Sequence, residues 1–226
     1  MKDFFKAYKL YIKASFSPIL IGISIIFIAF ICLVLILRVP KTTDDDYMSM
    51  IGLIGMTNVF QILWLLTGKA TITTNKFFLS ANVSKALFTT VPIAVVLTFE
   101  LVYSIILITI SYFALESSIM PDVILILVYN MVISSFTIST ARMPKMVIPF
   151  IICYIALFSQ PIILNLNYFK DIKGFGFELP QAVLISAVIV TVGISLNILM
   201  MNIWWNKSGR SLKIVPQNNA FILGNK

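Results

Sequence analysis

Glu100 is the one acidic residue inside a hydrophobic run, and a carboxyl in such a place invites ion, proton or substrate chemistry. Counted from Lys85 at 1.5 Å per residue, it lies roughly 22 Å along its helix, near mid-bilayer if the run crosses a membrane. It serves either as a lining position that touches substrate or titrates during transport, or as a hydrogen-bonded carboxyl tying helices together with Tyr103 and Ser104. Asn58 and Gln61 lie three apart and share a helix face. Asn130 and Asn197 stand inside two further runs. Glu100, Asn58, Gln61 and Asn130 are therefore the candidate polar residues of a translocation path. Interhelical hydrogen bonds, worth about 0.6–2 kcal/mol, are the competing explanation. Ser134, Ser135, Thr137, Ser139 and Thr140 leave the same choice open, between close helix packing and a polar mouth.

Covalent and metal chemistry find little to work with. There is no histidine, which removes histidine metal sites and histidine acid–base catalysis. Cys32 and Cys153 both fall in apolar runs and read as small core residues. A membrane hydrolase needs a nucleophile–base pair, a metal set or paired carboxylates, and one intramembrane acid supplies none of these. Gly68-Lys69 is followed by Ala70 without the upstream glycine spacing of a phosphate-binding P-loop. The chain is expected to be no enzyme, to hold no metal or cofactor, and to borrow any ATP hydrolysis from another chain.

The elements that carry these residues are membrane spans. Among 226 residues 59% are hydrophobic and 12% charged, with a mean hydropathy of +0.99, far from the near 45–50% apolar and about 25% charged of soluble domains. Six apolar runs cover about Ile19–Leu37, Met48–Gly68, Ala86–Leu115, Val123–Ala141, Val147–Leu166 and Pro180–Asn206. Each is near or above the ~20 residues that cross a bilayer. The third and sixth exceed that need and are expected to tilt, bend or project. The first run has no cleavage site and is expected to stay as its own insertion signal. The fold expected is all-α: six transmembrane helices in one domain over 1–226, with an interfacial helix at 1–18, the bundle at 19–206 and a tail at 207–226.

Lys2, Lys6, Lys9 and Lys13 recur at spacings of four, three and four, forming one stripe on a helix whose other faces hold Phe4, Phe5, Tyr8 and Tyr11. A basic stripe beside an aromatic face predicts a helix lying in the headgroup region, ended by Ser17-Pro18. With the N-terminus inside, the inner segments carry 13 Lys/Arg and the outer ones 4. That split places both termini in the cytosol and accounts for the net charge of +8 without nucleic acid. Trp64, Trp204 and Trp205 fall near inner ends, where an aromatic belt is expected. Between the last two runs, residues 165–180 mix aromatics with Gly174 and Gly176, which suits either a re-entrant hairpin or a structured outer loop.

Lys69–Lys85, the longest internal inner segment, carries three lysines and no acid, yet also Phe77, Phe78, Leu79 and Val83. Adjacent phenylalanines in a solvated loop point to a short amphipathic helix that docks into a protein. With this segment, the basic amphipathic helix and the six runs, nearly the whole chain resembles the permease subunit of type-2 ATP-binding-cassette (ABC) exporters. That family often ends the segment with Leu-x-x-Pro-Val-Ser-Arg/Lys; here Leu79-Ser-Ala-Asn82-Val83-Ser84-Lys85 keeps the end and replaces proline with Asn82. An acid common upstream is absent, Thr73-Thr74-Asn75 standing in its place.

The resemblance implies a coupling helix at Asn75, Lys76, Phe77, Phe78, Leu79, Val83 and Lys85, seated in a separate cytosolic ATPase that binds the ATP and Mg. It implies an interfacial connecting helix over residues 4–16 and a second permease subunit, identical or not, completing the pore in a bacterial cell membrane. Small size without an outer domain resembles exporters of hydrophobic or amphipathic peptides, such as phenol-soluble-modulin-like toxins and bacteriocins. The competing expectations are a six-span substrate-binding subunit of a vitamin importer, and a non-transporting immunity or scaffold protein.

Overall fold

The computed structural model of the chain describes residues 2–38, 54, 58–74, 83–114, 119–143, 145–164 and 175–208. All regular structure among them is helical: α1 (Lys2–Ser15), α2 (Pro18–Arg38), α3 (Asn58–Thr74), α4 (Ser84–Phe88), α5 (Thr90–Ala114), α6 (Met120–Thr140), α7 (Val147–Leu164) and α8 (Leu179–Ser208). Three helices among the described residues, α5, α6 and α8, are long and apolar enough to cross a membrane. They become four if α1 and α2, bent by 85°, count as one broken span. The chain is thus an all-helical integral membrane protein. The six-span expectation is met only in part, because the start of the second run and the end of the fifth lie in or beside residues outside the described set.

The breaks follow from local chemistry. Pro18 has no N–H to continue α1, and its fixed φ suits the first position of a new helix. The chain turns there, Ile21 N donating to Ser17 O at 3.0 Å. The overlong third run divides at Thr89, whose ψ of −74° lies outside helical geometry, into the short α4 and the long α5. The overlong sixth run stays whole: α8 has 30 residues, about 45 Å at 1.5 Å per residue, and outreaches a hydrocarbon core of about 30 Å. Ala141, with ψ 130°, stops α6, and the following turn carries Arg142 and Lys145 at φ 56° and 64°. Buried Met143 pins that turn to the core.

α6 is the helix the others surround, packing against α8, α5, α7 and α3. It runs parallel to α8, and the closeness of that pair depends on Gly193: a Cβ there would come within 2.6 Å of Val132 Cγ1. Beside it, buried Asn197 accepts from Ser139 Oγ at 2.8 Å and donates to Ser135 Oγ at 3.1 Å. The serines of the fourth run are therefore packing residues within the chain. Asn197→Ala is expected to lower stability by about 1 kcal/mol, read as an earlier thermal unfolding in detergent.

Two clusters fill the interior. One gathers Ala7, Tyr11, Ile62, Trp64, Leu65, Ile72, Val83, Leu87, Phe88, Met143 and Trp204 where α1, α3, α4 and the ends of α6 and α8 meet. The other holds Ile31, Ile54, Tyr103, Leu107, Ile119, Val123 and Leu127. The lysines at 6, 9, 13, 85, 145 and 207 belong to the first end of the bundle, here termed the basic end. The tryptophans stand at that end too, but Trp64 and Trp204 are turned inward, at 6% and 4% exposure. Trp205 stacks on Phe88 with ring centroids 6.1 Å apart.

Candidate functional site

The sequence singles out Lys69–Lys85, and the structure describes both of its shoulders. Asn75, Lys76, Phe77, Phe78 and Leu79 lie outside the described residues. Val83 is buried, Lys85 is exposed, and Ile72 on the near shoulder is fully buried in the cluster that also holds Val83, Leu87 and Phe88. Both ends of the segment are thereby rooted in one packed unit.

α1 is part of that unit. Its spacing predicts a helix in the headgroups, and Lys6, Lys9, Lys13 and Phe5 are indeed exposed, with Phe4 half-buried. Ala7, Tyr11 and Ser15, spaced four apart, form a separate stripe that is buried against α3, α4 and α5. Tyr11 OH donates to Leu65 O at 3.4 Å, and burial holds the Tyr11 phenol far above its ordinary range. Ser15 satisfies its hydroxyl on Tyr11 O at 2.9 Å and lies directly over Gly68, where no Cβ intervenes.

Lys69 follows the second apolar run and reads from sequence as a loop cation. In the structure its side chain is fully buried. Nζ donates to Phe88 O at 3.3 Å and stands 5.7 Å from the centre of the Phe88 ring. The reason lies in Pro92. In a regular helix the residue-92 N–H would bond the carbonyl four residues back, but proline has none. The Phe88 carbonyl is released at the α4–α5 break, and Lys69 supplies the donor. Burial pushes the Lys69 ammonium well below its ordinary range. One side chain thus ties the far end of α3 to the α4–α5 corner, across the base of the 75–82 segment. No signal in the sequence marks this clamp except a proline 23 residues after the lysine.

The intramembrane polar residues form a second level. The edge-on contact of Trp64 with Phe99, at 4.9 Å, sets the antiparallel register of α3 and α5 and brings Gln61 level with Tyr103. Leu107 shares its cluster with Val123 and Leu127 of antiparallel α6, so Asn130 and Ser134 come level with Tyr103 and Glu100. Glu100 is 1% exposed and Asn130 fully buried, so both face the interior of this chain. The side chain of Asn58 lies outside the described residues. Gln61 Oε1, Tyr103 OH, Ser104 Oγ and Ser134 Oγ are buried without a hydrogen-bond partner. Such atoms each cost about 1–3 kcal/mol when unsatisfied.

These features define an all-helical integral membrane protein with a clamped basic end and a buried oxygen-rich level. No protein-family model, curated protein or solved structure matches the chain. Among the described residues no group of three or more His, Cys, Asp or Glu side chains could hold a metal ion.

Proposed function

We propose that the chain is the transmembrane subunit of an ATP-driven exporter of the type-2 ABC kind. It crosses a bacterial cell membrane six times with both termini in the cytosol, and pairs with a second permease subunit. It catalyses nothing itself; a separate cytosolic ATPase binds ATP and Mg. The cargo is a hydrophobic or amphipathic molecule, with peptides the best match to the small, apolar subunit.

The observation that carries this reading is the construction around residues 75–82. A segment rich in phenylalanine and lysine leaves α3 and returns at Val83, and both shoulders are packed into one cluster with α1. Lys69 joins those shoulders directly. A push on the segment is therefore delivered to α3, α5 and α1 together. A solvated loop needs no such base; a lever does. Exposed apolar faces on α2 and α8, including Ile25, Ile26, Leu184, Val188 and Leu199, suit lipid and a second subunit.

The test is the double variant Phe77→Ala with Phe78→Ala, co-expressed with the ATPase subunit. Transport-coupled ATPase stimulation is expected to fall at least tenfold while the chain still inserts and unfolds at its usual temperature. Unchanged coupling in that variant would count against docking. A purified wild-type chain that neither binds nor stimulates an ATPase would remove the exporter reading altogether.

A further inference from the structure

The hydroxyls of the buried polar level behave unlike their neighbours. Thr98 and Thr109 on α5 bond back to the carbonyls of Ala94 and Ile105, at 2.9 and 2.7 Å. On α6, Thr137 and Thr140 do the same to Ile133 and Phe136, at 2.8 and 2.7 Å. This is the ordinary way for a helix in an apolar setting to satisfy a hydroxyl. Ser104 on α5 and Ser134 on α6 make no such bond, although both are buried. Tyr103 OH and Gln61 Oε1 are likewise buried and unpartnered. These four oxygens come from three helices and share the level of the Glu100 carboxyl.

We propose that this level is a binding site for a monovalent metal cation, held by the Glu100 carboxylate and the oxygens of Gln61, Tyr103, Ser104 and Ser134. The donor set is oxygen throughout, which suits hard cations. One carboxylate supplies one negative charge, which matches an alkali-metal ion. Divalent magnesium and calcium call for more carboxylate or more water than this level offers. A cation here neutralises the acid in the low-dielectric interior and engages oxygens that the helices leave unbonded. It also joins α3, α5 and α6, so its occupancy bears on how firmly the helices leading from the basic end are held together.

The site lies inside a single chain and does not depend on an ATPase, so its test separates cleanly from that of the exporter reading. Purified full-length chain is unfolded thermally in detergent with NaCl, KCl or choline chloride at equal ionic strength and fixed pH. Sodium or potassium is expected to raise the midpoint saturably over choline, and the radioactive form of the stabilising ion to bind at about one per chain. Glu100→Gln is expected to abolish the shift, and Tyr103→Phe and Ser134→Ala to weaken the apparent affinity at least tenfold. Should Glu100→Gln fail to fold, those two milder variants decide the matter. Equal midpoints in all three salts would overturn the proposal. So would a stabilisation that follows pH but not the cation, which would assign the level to a proton, and so would retention of the shift in Glu100→Gln.

Discussion

Gly68→Ala is expected to loosen α1 from the bundle, lowering the unfolding midpoint and exposing Lys6, Lys9 and Lys13 to faster tryptic cleavage. A Cβ at Gly68 would stand 2.6 Å from Ser15 Cβ and 2.8 Å from Ser15 Cα. The second distance decides the sign. A clash with a side-chain tip is relieved by a rotamer change, but a clash with backbone moves the whole of α1. Overpacking of this kind costs about 1–3 kcal/mol. Replacing a helical glycine by alanine returns roughly 0.5–1 kcal/mol, so the net effect is destabilising. Ser15→Gly in the same chain removes the nearest two of the three contacts and should restore most of the loss. That non-additivity, measured as a double-mutant cycle, is the signature of direct contact between the two helices. Additive effects in the cycle would contradict the docking of α1 described above.

The same contact shows how far the sequence is legible. The lysine spacing correctly places a basic stripe on α1, and Ser17-Pro18 correctly ends it. The stripe that docks the helix, Ala7, Tyr11 and Ser15, is not visible in that pattern. A small residue, a phenol and a hydroxyl do not form an apolar face, and their burial depends on a glycine 53 residues beyond Ser15. The length of the third run signals an interruption, and the structure places it at Thr89, just before Pro92. What the interruption does could not be read locally, since the orphaned Phe88 carbonyl finds its donor on another helix. Glu100, Gln61 and Asn130 stand out in sequence as polar residues in apolar runs. Their common level depends on the α3–α5 and α5–α6 registers, which only packing sets. The segment expected to dock, Asn75–Leu79, lies outside the described residues, so its shoulders rather than its own side chains carry the structural case.

Lys69 yields the sharpest pH dependence in the molecule. Its amine has an ordinary value of 10.5, held well below that by burial in the folded chain. Unfolding exposes it and lets it bind a proton, so the unfolded state carries more protons between the lowered folded value and about 10.4. Stability therefore rises with pH across that window, by up to about 1.4 kcal/mol per pH unit. Tyr11, shifted upward, ionises on unfolding only above its ordinary 10.0 and leaves the range from pH 7 to 9.5 undisturbed. Lys69→Met keeps the length of the side chain and removes the titrating group, so the slope attributable to this residue should vanish. It also deprives Phe88 O of the Nζ donor, a cost of about 1–3 kcal/mol that partly offsets relief from the buried amine. Pro92→Ala supplies a backbone N–H four residues after Phe88 and should recover that cost in the Lys69→Met background. Chemical unfolding of wild type, Lys69→Met and the double variant from pH 7 to 9.5 distinguishes the two contributions. A slope unchanged by Lys69→Met would place the titrating group elsewhere, and failure of Pro92→Ala to rescue would mean that the Phe88 carbonyl is satisfied without Lys69. If both outcomes are as expected, the clamp is a substitute for one backbone hydrogen bond. It then joins α3 to the α4–α5 corner where regular helix would have left them independent.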